Sequence, residues 1–423
     1  MHNQARQNIQ NCDSSYERKI IPLLAIGFGL VGLDRWIISP LFPVMMEDLN
    51  LNYQDLGLIV AVLGIFWGIF AIIMGGLSDK LGRRIILVPS MVIFSLLVGL
   101  TGLAVGLMSL LFIRALMGVF EGAYCSVSVA ATAEASHPKR RGFNMGLQQS
   151  TFALFGLGFG PIIATQLLNI VPSWKWVFVI VALPGLIVAY LIYRTIREPS
   201  FLVVSNTKKS QSDKTERKSW SEIFKYRNVI LSMLGLVGVM CCVFVLSSML
   251  PNYFTDYLNL SVAQMGFIIS GIGFGGFLGQ LILPAISDWV GRKTTLITAF
   301  ILDMIVLGIL MNVGARPFLL FILLFLLALL SFGSLCLMAG PVPVESVPPS
   351  LAASAAGIPI GIGEIFGGGV MPALGGFVAQ NFGIEKTPLL AFAGLILCFV
   401  VVCFLKETAP AKLHKNDQIA TEL

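Results

Sequence analysis

Gly75-Gly-Leu-Ser-Asp79-Lys-Leu-Gly82-Arg83-Arg84 is a short charged stretch between long apolar runs, and the chain repeats it as Ser287-Asp288-Trp-Val-Gly291-Arg292-Lys293. Asp79, Gly82, Arg83 and Arg84 thus recur as Asp288, Gly291, Arg292 and Lys293 at a shift of 209 residues. The match extends outward in both directions. Gly57 and Gly64 recur as Gly266 and Gly273 at the same shift, and Pro43 and Asp48 as Pro251 and Asp256 at 208. Glu134, Pro138, Gly146, Gly156, Gly158 and Pro161 recur as Glu345, Pro349, Gly357, Gly367, Gly369 and Pro372 at 211. The drift is small and monotonic, as changes in loop length produce. An ordered series of Pro, Asp, Glu and Arg matches marks a duplicated unit rather than glycine-rich composition.

Composition says what surrounds the two units. Of 423 residues, 56% are hydrophobic and 12% charged, whereas a soluble domain carries about 25% charged residues. So little charge does not cover a water-facing surface, so most of the exterior faces lipid. A bilayer core of about 30 Å takes roughly 20 apolar residues as a helix. Runs of that kind lie near 20–44, 56–77, 85–105, 107–133, 143–168, 175–195, 228–255, 262–286, 294–313, 317–343, 352–380 and 387–405. The expected fold is an all-α integral membrane protein, with twelve transmembrane helices in two six-helix pseudo-symmetric halves. The segments expected are a polar N-terminus (1–19), a first bundle (20–195), a linker (196–227), a second bundle (228–405) and a polar C-terminus (406–423). No small-residue cleavage site follows the first run, so no removable signal is expected.

Other classes are excluded by what the spans contain. Six of the seven cysteines lie inside apolar runs, and the histidines (His2, His137, His414) lie outside them. No metal-ligand spacing, nucleotide-binding loop or catalytic triad appears, so neither an enzyme nor a bound cofactor or metal is expected. The basic residues report topology. Only Lys175, Arg316 and Lys386 fall on the side opposite the termini, and Arg35 and Arg114 within spans; the other 23 of the 28 share the side of the termini. The positive-inside rule then places both termini in the cytoplasm, with the chain expected in the cell's inner (cytoplasmic) membrane. The net charge of +6 is accounted for by topology and implies no nucleic-acid partner.

The twice-written loop resembles the cytoplasmic signature of the major facilitator superfamily, with Pro284 and Trp289 as departures in the second copy. The resemblance covers nearly the whole chain. It implies alternating access around a site between the halves, by a chain that functions as a monomer. A gating role is expected for the loops. Gly82 permits a tight turn, and Asp79 can cap a helix of the opposite half. Arg83 and Arg84 can pair with Glu134, and Arg292 with Glu345, while Asp288 repeats Asp79.

Four ionisable residues sit inside spans of the first half: Asp34, Arg35, Arg114 and Glu121. Unpaired, they would together cost on the order of 10 kcal/mol. They are therefore expected to face the bundle interior as one network. Arg114 and Glu121 are seven residues apart, two helical turns, so they share a face about 10 Å apart along the axis. None has a charged counterpart at the shifted position, which favours function over symmetric structural pairing. This constellation resembles the anion:cation symporter family, which has Asp-Arg in its first span and Arg with Glu seven later in its fourth. The resemblance implies an organic-anion substrate held by Arg35 or Arg114. It also implies that Asp34 and Glu121 take up the coupling proton, with sodium as the alternative ion. A guanidinium grips a carboxylate bidentately.

Residues 114–124 are also similar to the spinster lipid transporters, so export of a lipophilic compound, drug or lysolipid is the alternative function. Two buried arginines argue against a cationic substrate. Glu364, among Gly361, Gly363, Gly367, Gly368 and Gly369, is a candidate for the substrate site, as are Tyr124 and Gln148. Gln149, Asn252 and Tyr253 are further hydrogen-bonding candidates, and Asp303 a further buried acid.

Overall fold

The computed structural model describes residues 14–137, 140–197, 220–348 and 351–409. The expected linker, over 198–219, and the polar ends 1–13 and 410–423 lie outside the described residues. Among the described residues, twelve helices are long and apolar enough to cross a membrane. In the first half they are α1 (Ser14–Leu49), α2 (Tyr53–Gly75), α3 (Arg83–Thr101), α4 (Leu107–Ala135), α5 (Arg141–Leu168) and α6 (Trp174–Thr195). In the second they are α7 (Arg227–Tyr257), α8 (Val262–Val290), α9 (Arg292–Leu310), α10 (Pro317–Glu345), α11 (Ser354–Phe382) and α12 (Ile384–Cys403). Each overlaps the corresponding apolar run of the sequence, with ends moved by a few residues.

The duplication is visible in how helices begin and turn. Asn52 caps α2, its side chain accepting from the Asp55 amide at 3.0 Å while the Asp55 carboxylate accepts from the Asn52 amide at 2.9 Å. Ser261 and Gln264 form the same reciprocal cap on α8, 209 residues later. Such a box satisfies amides that have no partner inside the helix. At the opposite ends, Gly82 (φ 101°) and Gly291 (φ 107°) turn the chain from α2 into α3 and from α8 into α9. An L side chain is strained at those angles, which is why glycine is repeated there.

The repeated glycines inside the spans mark where the halves meet. A Cβ on Gly64 of α2 would lie 2.5 Å from the Gly368 carbonyl of α11. Its repeat, Gly273 of α8, would place one 1.8 Å from the Gly158 nitrogen of α5. Gly57 abuts Pro372 and Gly376, and Gly266 abuts Pro161 and Thr165. The two seams, α2 with α11 and α5 with α8, are therefore related by the duplication. Both are tightest from mid-membrane to the face away from the termini. On that face Tyr53 also donates its hydroxyl to Asp256 at 2.7 Å. Toward the termini the seams loosen: a Cβ at Gly142 or Gly357 would meet nothing within 4 Å. α5 and α11 each contain a π-helical stretch, Leu154–Phe159 and Gly363–Val370.

Candidate functional site

The first helix breaks where its charges sit. It runs from Ser14 to Trp36, turns at Ile37 and resumes over Ile38–Leu49. Asp34 and Arg35 occupy the last turn before the break, so carbonyls of a helix end face the bundle interior. Such carbonyls seek outside donors. Arg114 of α4 supplies one, its Nη1 donating to the carbonyls of Asp34 (3.3 Å) and Arg35 (3.1 Å). Arg114, Glu121, Asp34 and Arg35 are all buried.

The structure changes the expected wiring of this cluster. Arg35 pairs with none of the first-half acids. Its Nη2 donates to Glu364 Oε2 of α11 at 2.9 Å, across the seam between the halves. Four aromatic rings surround the guanidinium. Its Cζ lies 4.6 Å from the centre of Trp67, 4.7 Å from Phe244, 5.6 Å from Trp36 and 6.0 Å from Phe152. Phe244 comes from the second half, the other three from the first. Both oxygens of Glu121 and Oδ1 of Asp34 are buried with no hydrogen-bond partner, as are Nε and Nη2 of Arg114 and Nε and Nη1 of Arg35. The expected network of four first-half groups is thus a five-group cluster spanning both halves, rich in unused donors and acceptors. Sequence distance hid Glu364's part in it: 329 residues separate it from Arg35.

The remaining candidates sit around this centre. Gln148 is buried, donating to Ser128 Oγ at 2.9 Å with its own oxygen unpartnered. Tyr124 is buried edge-on to Phe94, centroids 5.8 Å apart, with its hydroxyl against Gly27 of α1. Asn252 donates to Asp256 at 3.1 Å, near the sealed face. Asp303 of α9 accepts from Ser331 of α10 at 2.8 Å, inside the second half. A surface cleft of about 640 Å³ is lined by Glu47, Asp48, Thr165, Trp174 and Val262 on the sealed face, away from the buried charges.

On the side of the termini the repeated loops form matching ion pairs. Arg83 Nη2 donates to Glu134 Oε1 at 2.6 Å, and its Nε reaches both Glu134 oxygens at 3.2 and 3.3 Å. Arg83 also bonds Ser78. Arg292 repeats this, with Glu345 at 2.9 and 3.4 Å and Asp288 at 2.6 Å. Arg84 stacks on Tyr193, 4.2 Å from its ring centre. The Asp79 side chain lies outside the described residues. All of these pairs join elements of one half rather than tying the two halves together. Two acids not singled out from the sequence extend the pattern. Glu407 accepts from the Arg292 and Lys293 amides at 2.8 and 3.2 Å, capping α9. Glu17 accepts from Asn144 (2.8 Å), Arg140 (2.7 Å) and the His137 amide (3.2 Å).

Twelve spans in two related halves, closed over a buried charged centre, define a membrane transporter. Residues 24–359 match the Major Facilitator Superfamily, and the chain belongs to that superfamily. It is accordingly a transporter and not an enzyme. A hexuronate transporter of Bacillus subtilis (strain 168) is 29% identical over 62% of this chain and 62% of its own. The chain therefore spans less than two thirds of that relative's length in the match. A protein of Cupriavidus pinatubonensis, described as a probable 4-methylmuconolactone transporter, is 28% identical over 82% of this chain and 81% of its own. Among solved structures, a bacterial homologue of the human lysosomal transporter Spinster, in an inward-facing and occupied conformation, superposes with a TM-score of 0.66 at 18% identity. That superposition covers 93% of this chain and 96% of the other, and shows the shared fold.

Proposed function

We propose that the protein is a secondary active transporter carrying an organic anion, a carboxylate such as a sugar acid or aromatic acid, together with a proton by alternating access. The observation that carries this reading is the pair of buried guanidiniums with unused donors beside buried acids with unused acceptors. A dry guanidinium with free N–H groups is a carboxylate receptor. The relative named for hexuronate, a sugar carboxylate, supports the substrate class.

Charge counting supports the proton. The cluster holds three carboxylic groups (Asp34, Glu121, Glu364) and two guanidiniums (Arg35, Arg114). It is neutral when one proton is bound. A carboxylate arriving in this buried place adds one negative charge, and charge uncompensated inside a membrane is costly. One further proton restores neutrality, so one proton accompanies each monovalent anion. Asp34 and Glu121, whose oxygens lack donors, are the takers, while Arg35 and Arg114 hold the substrate with Gln148 and Tyr124 near by. The bias of basic residues puts the termini in the cytoplasm of an inner membrane, so the tight seams close the outer face. The loop residues Asp79, Arg83, Arg84, Glu134, Asp288, Arg292 and Glu345 then govern the inner face, the Arg83–Glu134 and Arg292–Glu345 pairs each stiffening its own half as it rocks.

A thermal-shift screen of the purified protein against carboxylates, sulfonates, amines and lysolipids tests the substrate class. Stabilisation by carboxylates is expected. Stabilisation by amines or lysolipids, with carboxylates silent, overturns the reading in favour of export of a lipophilic compound.

A further inference from the structure

The arginine–glutamate pairs among the described residues differ in how fully they are made. Arg83 engages Glu134 through Nη2 and Nε, and Arg292 engages Glu345 through the same two nitrogens. Each of these guanidiniums also donates Nη1 to a serine, Ser78 or Ser287. Arg35 makes a single bond to Glu364, and its Nε and Nη1 are buried without acceptors. Arg140 also gives Glu17 a single bond, but its side chain is half exposed and water can take its other donors, whereas the spare donors of Arg35 are buried.

The surroundings keep this partly used guanidinium available. Rings from both halves exclude water on several sides, and cation–π attraction holds the charge whether or not a carboxylate is present. The acid packs against a glycine. Its Oε2 lies over Gly368, where a Cβ would come within 2.7 Å of it, inside a π-helical stretch. π-Helical turns recur at functional sites.

We infer that Glu364 is a built-in competitor for the substrate. Its carboxylate holds one donor of Arg35 and ties α11 to α1 when the carrier is empty, and the arriving substrate carboxylate displaces it and takes the guanidinium with more than one bond. Glu364 thereby acts as a positioning and affinity-setting residue rather than a substrate ligand. The inference rests on the organic-anion reading and deepens it. It accounts for the one acid of the cluster that comes from the second half, because displacement exchanges a tie between halves for a substrate bridging them. The proton that accompanies the anion remains with Asp34 and Glu121.

The test is anion affinity of full-length protein in detergent, measured by isothermal titration with D-glucuronate and benzoate and with D-glucuronamide as neutral control. Wild type, Glu364→Gln and Glu364→Asp are compared. Removing the competitor raises the fraction of free Arg35, so Glu364→Gln is expected to bind the carboxylate at least about five-fold more tightly. Glu364→Asp, which retracts the carboxylate by one methylene, falls between the two. The anion should also raise the melting temperature of Glu364→Gln more than that of wild type, because it restores Arg35's missing partner. If Glu364→Gln folds only when purified with the anion, that rescue has the same meaning. Equal or weaker carboxylate binding by both variants, with wild type binding normally, overturns the competitor and leaves the anion reading standing. Binding of neither carboxylate by any of the three proteins overturns both.

Discussion

Replacing Gly273 by alanine adds one methyl group at the tightest point of the α5–α8 seam. The new Cβ would sit 1.8 Å from the Gly158 nitrogen, 2.2 Å from the Leu157 carbonyl carbon and 2.3 Å from the Gly158 Cα. All three are backbone atoms, so no rotamer change relieves the contact. Reaching an ordinary 3.4 Å separation requires the helices to part by about 1.6 Å. Overpacking of this kind costs about 1–3 kcal/mol. The better helix propensity of alanine applies to both conformations and cancels between them. The penalty falls only on the conformation sealed on this face. The equilibrium should move toward the opposite conformation by roughly 5- to 150-fold. Spin labels on Asn169 and Ala263, which flank this seam on the sealed face, report it by pulsed dipolar spectroscopy with the native cysteines replaced. A longer-distance population should grow in Gly273→Ala. Gly308→Ala, where a Cβ meets nothing within 4 Å, should leave the distribution unchanged. An unaltered distribution in a folded Gly273→Ala protein would refute the claim that glycine contact between the halves sustains the sealed state.

Glu121→Gln keeps the shape of the side chain and removes its titration, so accumulation driven by a pH gradient should be lost while exchange between loaded vesicles is partly kept; Asp34→Asn should behave alike, and full accumulation in both sinks their assignment. Arg35→Lys keeps the charge without the planar fork, and carboxylate affinity should fall in the order wild type, Lys, Ala; equal affinity across the series, in titrations at constant pH, removes Arg35 from the substrate site. Glu407→Gln keeps an acceptor but removes the negative charge at the start of α9 and should lower stability by about 0.3–1 kcal/mol, read as a lower melting temperature with unchanged carboxylate affinity. A drop in affinity instead would tie the C-terminal segment to the substrate site.

How much of this was legible in the sequence depends on the range of each interaction. A span is set by the local transfer of apolar residues into lipid, so all twelve were readable as runs, and the 209-residue repeat of Gly82 and Gly291 foretold both turns. The repeated Gly64 and Gly273 were visible as matches, but only the packed halves show that they form two related seams. The partner of Arg35 was not legible. Charge spacing along α1 and α4 suggested Asp34 and Glu121, whereas Arg35 reaches Glu364 of the other half. The aromatic rings around Arg35 come from four helices, and nothing local to Trp67, Phe152 or Phe244 sets them apart from other membrane aromatics. The contacts of Glu17 and Glu407 were not legible either, since a bond to a distant segment has no sequence period.

The most direct measurement is uptake of radiolabelled D-glucuronate, D-galacturonate and benzoate into proteoliposomes in sodium-free medium, with an imposed proton gradient acid on the outside. At least one of these carboxylates should accumulate above its equilibrium level, collapse to equilibrium with a protonophore, and show no gradient-driven accumulation in Glu121→Gln. Absence of proton-driven accumulation for every carboxylate in protein shown to be folded, or accumulation driven by sodium alone, would contradict transport of an organic anion with a proton.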